Sequence, residues 1–115
     1  MDGKAVVILV TGNGMGSTSE QALKNKLTKS FLTLVQENQT LPYGICFYTD
    51  GVKLACQGSP VLEELKSLEN RGVRLILCRT CLEYFGLLDE VAVGIVGGMG
   101  DIQVAMWRGD SVITI

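Results

Sequence analysis

The sequence predicts an α/β fold, a three-layer sandwich in which a mostly parallel sheet of about five strands carries helices on both faces. The first observation is that short apolar runs alternate with segments of helical periodicity along the whole chain. The second is that the first run, Ala5–Val10 (AVVILV), is apolar throughout, as in strands buried on both faces. The third is that no linker or repeat interrupts the 115 residues, so we expect one domain, 1–115.

The predicted strands are the short runs rich in β-branched and aliphatic residues. The runs are Ala5–Val10, Gly44–Tyr48, Val73–Leu77, a segment within Val91–Val96, and Ser111–Ile115. We also expect a brief extended segment over Val52–Ala55, after the turn signal Asp50-Gly51.

The predicted helices lie between these strands and are recognised by their start and stop signals. Ser17 and Glu20 have the spacing of a capping box, and so do Thr80 and Glu83. Ser59-Pro60 is a favourable opening, because serine caps and proline lacks only an N–H that would be unpaired there. Glycines at 72 and 86 are placed to end two of the helices, and a last helix is expected over Ile102–Trp107.

Composition excludes several classes of function. Ten basic and twelve acidic residues give a net charge of −2 without a basic run, so nothing favours nucleic acid or an anionic membrane. Neither a signal peptide nor a transmembrane segment is recognisable, so we expect a cytoplasmic protein. Histidine is absent, which excludes Ser-His and Cys-His catalysis and histidine metal ligands.

Ligand sites of parallel sheets lie beyond the carboxyl ends of the strands. Two loops there are rich in glycine, and exposed backbone N–H groups in such loops bind anions. The candidate ligand-binding residues are Asn13, Gly14, Asp50, Gly97, Gly98 and Met99. The loop after the first strand has neither the dinucleotide fingerprint nor a P-loop lysine, so no cofactor is predicted and a plain turn remains the alternative.

The segment Cys78-Arg79-Thr80-Cys81 is the main functional signal, a CxxC at a predicted strand-to-helix junction. If Thr80 caps the helix, Cys81 is its first residue, and the helix dipole together with Arg79 favours the thiolate. Such a thiolate accepts sulfur as a persulfide, which a second thiol can resolve. The alternative is that both cysteines are small core residues.

The remaining cysteines are expected to be structural. Cys46 alternates within a predicted strand and is assigned to the core, and Cys56 lies near a turn. A structural zinc site usually needs two closely spaced cysteine pairs, and only one is present, so no metal is predicted.

Three segments resemble the DsrE-like family, closest to the C-terminal domain of YedF-type proteins of selenium metabolism. They are Gly51-Val52-Lys53-Leu54, Gly58–Leu65 (GSPVLEEL) and Leu77–Leu87 (LCRTCLEYFGL). The resemblance implies a DsrE-type sandwich, homo-oligomers and a sulfurtransferase-like role in relaying sulfur or selenium. It ranks Cys78, eight residues before Gly86, as the sulfur carrier, and leaves Cys81 as the assisting thiol with Arg79 and Thr80 in support.

Partners and alternatives follow from the same resemblance. The full YedF-type protein resembles a fusion in which a TusA-like domain, carrying a Cys-Pro dipeptide, precedes the DsrE-like domain. This chain has no Cys-Pro dipeptide. A sulfur donor or acceptor protein, such as a TusA-like one, is therefore the expected partner. Whether the chain is an enzyme stays open. The alternatives are a non-catalytic ligand-binding or assembly module, a thiol–disulfide oxidoreductase and a flavin carrier.

Overall fold

A computed structural model describes residues 4–115 of the chain. Five strands alternate with four α-helices, and two short 3-10 segments lie in the connections. The strands are β1 (Val6–Val10), β2 (Gly44–Phe47), β3 (Arg74–Cys78), β4 (Ile95–Gly97) and β5 (Ser111–Thr114). The helices are α1 (Gln21–Glu37), α2 (Leu62–Asn70), α3 (Arg79–Tyr84) and α4 (Met99–Arg108), and the 3-10 segments are Thr49–Ala55 and Leu88–Glu90.

All strand pairs in the sheet are parallel, and the strand order is β4-β3-β2-β1-β5. The chain steps from β1 to β4 in one direction, so right-handed crossovers put α1, α2 and α3 on one face. It then returns past the whole sheet to β5, which puts α4 on the other face, where Ala105 and Ile76 line one groove. The predicted α/β sandwich with helices on both faces is confirmed.

The core lies on both sides of the three central strands. Ile45 and Phe47 of β2 and Leu75 and Leu77 of β3 are almost completely buried. The edge strand β5 is different, because Val112 and Ile113 each retain 44% of their exposure. No helix within residues 4–115 is both long and apolar enough to cross a membrane.

Three predicted helix starts are displaced, because the residues expected to cap these helices do not cap them. The first helix begins at Gln21 rather than after Ser17, and its N-cap residue Glu20 makes no side-chain cap. The hydroxyl of Thr18 instead accepts the N–H of Glu20 within the loop. The predicted cap at Thr80 is wrong, because Cys78 is the N-cap residue and α3 begins at Arg79, two residues before the predicted first residue Cys81.

The segment predicted to be extended over Val52–Ala55 is helical. It belongs to the 3-10 segment Thr49–Ala55, which packs beneath the end of β1. A Cβ at Gly51 would overlap the carbonyl oxygen of Val10, so only glycine allows this close approach. The segment therefore sits directly at the carboxyl end of the sheet, where the candidate residues lie.

Candidate functional site

Cys78 is the last residue of β3, at the carboxyl end of a central strand. The four residues from Leu75 to Cys78 are all buried, and Cys78 itself is only 2% exposed. Its neighbour across the sheet is Gly97, at the end of β4. The backbone turns into α3 directly after Cys78, which is the N-cap residue of that helix.

Cys81 lies in the first turn of α3 and is partly exposed. The thiol of Cys78 lies close enough to influence the pKa of Cys81, and both cysteines are free. The Sγ of Cys81 also accepts a hydrogen bond from the backbone N–H of Thr49 at 3.1 Å. The structure thus brings together the two cysteines that the sequence singled out and adds a backbone donor from the end of β2.

The electrostatic environment of Cys81 differs from the prediction. Burial is the largest effect and raises the pKa of the Cys81 thiol, whereas the hydrogen bond from Thr49 lowers that pKa. The hydrogen bond and charge of Cys78 and the charge of Asp50 raise it further. The predicted depression of the Cys81 pKa is therefore wrong in its net direction, because Cys81 is the third residue of a six-residue helix and desolvation outweighs the donor.

The two supporting residues between the cysteines are both exposed. The side chain of Arg79 is 57% exposed, and its Nη1 lies 3.9 Å from Oε2 of Glu83, one turn along α3. Arg79 is not among the groups that shift the pKa of Cys81. Thr80 is exposed in the first turn. Their proposed support of the thiols stays a prediction.

Asp50 belongs to the thiol site, since its charge acts on Cys81. Its Oδ1 pairs with Nζ of Lys53 at 2.7 Å, and the same Nζ lies 4.3 Å from the centre of the Phe85 ring. Lys53 and Phe85 also line a cleft of about 530 Å³, together with Asn13. The thiol pair and this cleft are therefore neighbours, with Asp50 and Lys53 between them.

The candidate residues in the two glycine-rich loops differ in what they do in the structure. In the first loop, a Cβ at Gly14 would come 2.8 Å from Cβ of Lys24, so this glycine permits packing against α1. In the second, Gly98 donates its N–H to the Asp101 carboxylate at 2.8 Å and caps α4. Met99 was predicted to lie in a loop but is the first residue of α4, half exposed. Of these residues, Gly97 lies next to Cys78.

The other two cysteines are buried in the domain. Cys46 is completely buried in β2, as predicted, and burial raises its pKa to about 11. The Cys56 thiol donates to the carbonyl of Val52 at 3.3 Å, and burial followed by the charge of Glu90 raises its pKa. Within residues 4–115, no three cysteine, aspartate or glutamate side chains are grouped in a way that would hold a metal ion.

Sequence reasoning singled out Asp50 but not the role of the neighbouring Thr49, and it missed the contribution of Lys53 and Phe85. Thr49 contacts Cys81 across 32 positions of the chain, and no local pattern announces such a contact. The only available signal was topological: Thr49 follows the strand next to β3, and carboxyl ends of neighbouring parallel strands share one edge.

The fold and the site together define a class: a doubly wound α/β domain with a thiol pair at the carboxyl edge of a parallel sheet. The chain belongs to the DsrE/DsrF-like family, whose model matches residues 4–115. No curated protein matches it.

Solved structures share this architecture over nearly their whole length. The ychN protein from E. coli superposes with a TM-score of 0.72 at 18% identity, covering 97% of this chain and 99% of that one. The protein of unknown function MTH1491 from Methanobacterium thermoautotrophicum gives a TM-score of 0.68 at 20% identity, covering 98% and 100%. The conserved protein of unknown function BT1422 from Bacteroides thetaiotaomicron gives 0.67 at 16% identity, covering 96% and 94%. At these identities the comparison establishes the shared fold alone.

Proposed function

We propose that this protein is a sulfurtransferase-like relay that carries sulfur, or selenium, on its CxxC and passes it to a partner. The observation that carries the proposal is the juxtaposition of two free thiols at the carboxyl end of β3 and the start of α3, one of them partly exposed. Membership of the DsrE/DsrF-like family supports it. The closer likeness to YedF-type proteins, and with it the link to selenium, is part of this proposal.

Exposure favours Cys81 as the thiol that meets the donor. Cys78 is 2% exposed, whereas Cys81 is partly open to solvent and receives the N–H of Thr49. A transfer between proteins requires that an incoming sulfur reach the attacking thiolate. The ranking of Cys78 as the carrier stays a prediction from the sequence, and the proposal places the first persulfide on Cys81.

The chemistry is an exchange of one sulfur atom between thiols. The Cys81 thiolate attacks the outer sulfur of a donor persulfide, the donor S–S bond breaks, and the donor leaves as a thiolate. Discharge is the reverse reaction with a second partner: its thiolate attacks the outer sulfur, and Cys81 leaves as a thiolate. Neither step changes the overall oxidation state, so neither requires an external oxidant or reductant.

Cys78 provides a second outcome for the same intermediate. If its thiolate attacks the inner sulfur of the Cys81 persulfide, a Cys78–Cys81 disulfide forms and hydrosulfide leaves. That disulfide must then be reduced by an external dithiol before another cycle. Because Cys78 is buried, we expect relay to a partner to prevail while an acceptor is present.

The surface next to Cys81 suits a protein partner. Tyr84, at the end of α3, is 86% exposed, and its ring stands edge-to-face with that of Phe85, with the ring centres 5.7 Å apart. Exposed aromatic side chains are enriched at protein interfaces. A TusA-like donor or acceptor is the partner that we propose for this surface, and homo-oligomerisation remains a proposal beside it.

The test is to incubate the reduced protein with a persulfide donor and to locate the added sulfur by intact mass and peptide mapping. We expect an adduct on Cys81 that is lost in Cys81→Ser and retained in Cys78→Ser. Cys56→Ser is the matched control, because its thiol is buried outside the pair. An adduct that maps to Cys78 would instead support the prediction from the sequence that Cys78 is the sulfur carrier. No adduct on either thiol, with Cys81 still open to alkylation, would contradict the relay.

The cleft favours a second candidate, a ligand-binding module without thiol chemistry. Its volume of about 530 Å³ suits a small molecule, and its walls combine amide side chains such as Gln57 with the aromatic Phe85. This candidate predicts that the double variant Cys78→Ser/Cys81→Ser supports normal function in cells. Loss of function in that variant, at normal abundance, would contradict it.

A further inference from the structure

Thr49 has an unusual backbone conformation next to the thiol pair. Its φ is 49°, and it is the one residue other than glycine with a positive φ between positions 4 and 115. A β-branched side chain disfavours this left-handed region, so the conformation persists only where the surroundings hold it. Thr49 lies directly beyond β2 and begins the 3-10 segment.

The side chain and the backbone of Thr49 hold this conformation together. Its hydroxyl donates to the carbonyl of Thr11, at the end of β1, and also lies 2.7 Å from the carbonyl of Tyr48. Its backbone N–H is thereby directed at Sγ of Cys81, 3.1 Å away. Two strand ends are thus joined to α3 through a single residue.

We propose that Thr49 is a positioning residue whose N–H stabilises negative charge on the sulfur of Cys81. The inference rests on the proposed relay, in which this sulfur is anionic twice. It attacks the outer sulfur of the donor as a thiolate, and it leaves as a thiolate when the acceptor takes that sulfur. A fixed donor that requires no reorganisation favours both steps.

The other groups around Cys81 do not supply this stabilisation. Asp50 from the 3-10 segment and Cys78 from β3 both oppose the thiolate. On α3 itself, the exposed Arg79 faces Glu83, and Lys53 is engaged by Asp50. The N–H of Thr49 is the one influence found to lower the pKa of Cys81. This hydrogen bond therefore partly offsets the effect of burial.

The test replaces the hydroxyl that anchors the backbone, since the N–H itself cannot be mutated. Thr49→Ser keeps the anchor, Thr49→Val removes it, and Thr49→Gly removes it while accepting the left-handed conformation without strain. The readout is the pKa of Cys81, taken from the pH dependence of its alkylation by iodoacetamide in the full chain carrying Cys78→Ser. The melting temperature of each variant is measured alongside.

We expect Thr49→Val to raise the pKa of Cys81 by about one unit, a typical effect of losing a hydrogen bond to a charged group. Thr49→Gly is expected to raise it by less, and Thr49→Ser is expected to match the parent. A merely structural role for the hydroxyl would lower the melting temperature and leave this pH profile unchanged. If Thr49→Gly, and Thr49→Val where it folds, leave the pKa in place, the inference is overturned.

The same variants separate this inference from the relay itself. Persulfide loading of the unmodified chain tests the relay, whereas the alkylation profile tests Thr49. A chain that accepts no sulfur but responds to Thr49→Val refutes the relay and retains the role of Thr49 in stabilising the thiolate. A chain that loads sulfur on Cys81 with an unmoved pKa in the variants refutes only the inference.

Discussion

Two thiols in neighbouring parts of this domain lie in contrasting environments. Cys46 lies in the middle of β2, with Leu9 and Ile76 as its neighbours in the sheet, and it is fully buried. Burial alone sets its pKa near 11. Cys81 lies just beyond the sheet, partly exposed, where burial also raises the pKa but a backbone donor opposes the rise. The difference shows that position relative to the strand ends determines how accessible a thiol is and which backbone donors can reach it.

The largest expected effect that tests this comparison is the order of alkylation. In native protein treated with iodoacetamide near neutral pH, we expect Cys81 to react at least about a hundredfold faster than Cys46, because Cys46 reacts only after local opening of the core. Peptide mapping over time measures both rates. Denatured protein serves as the control, in which the two rates should converge. Comparable rates in the native state would mean that the core is not closed around Cys46.

An intermediate effect concerns stability at alkaline pH. The Cys46 pKa is raised in the fold, so its contribution is present below the unfolded-state pKa and is lost as the pH rises toward about 11. A shift of this size corresponds to a loss of about 2 kcal/mol by pH 10.5 and about 3 kcal/mol above it.

Urea unfolding of the unmodified chain and of Cys46→Ala between pH 7 and 10.5 measures this loss. Cys46→Ala should be less stable near neutrality, because it leaves a small cavity, but its stability should fall less steeply with pH. Parallel curves for the two proteins would show that Cys46 does not titrate in this range.

The smallest expected effect comes from the ion pair beside Cys81. Asp50→Asn removes a negative charge that raises the Cys81 pKa, so we expect the alkylation profile to move to lower pH by a few tenths of a unit. The shift should shrink at high salt, because Asp50 is half exposed. Lys53→Met leaves Asp50 unpaired and should move the profile the other way. If the alkylation profiles of both variants move in the same direction, the charge of Asp50 does not influence the pKa of Cys81.

The strands were predictable from the sequence because a strand buried on both faces is apolar along its whole length. Ala5–Val10 and Val73–Leu77 contain no glycine, proline, asparagine or aspartate, the residues that favour loops. The structure places the ends of β1 and β3 within one residue of these limits. The helix starts were less accessible. Serine and threonine bond to nearby backbone as readily in a loop as at an N-cap, as Thr18 does, so the pattern alone does not fix the first helical residue.

The thiol pair of the candidate site was predictable from the sequence, but its neighbours from distant parts of the chain and its electrostatics were not. The CxxC spacing and the position of Cys78 at a strand end identified the thiol pair. The direction of the Cys81 pKa depended on burial and on Thr49, a residue distant in sequence whose conformation arises from contacts with two strand ends. Effects of this kind are set by tertiary packing and leave no periodic signal in the chain.

The close approach of Gly51 to the Val10 carbonyl makes position 51 sensitive to substitution. Gly51 carries no reactive group, yet any side chain there would displace the 3-10 segment and with it the Thr49 N–H and the Asp50 carboxylate. In a saturation screen for activity, position 51 would therefore be as intolerant as position 81. The two would separate in a screen for abundance, where Cys81→Ser should accumulate normally and Gly51→Ala should not. Activity measurements alone would therefore not distinguish Gly51, which is required for packing, from a residue that is required for chemistry.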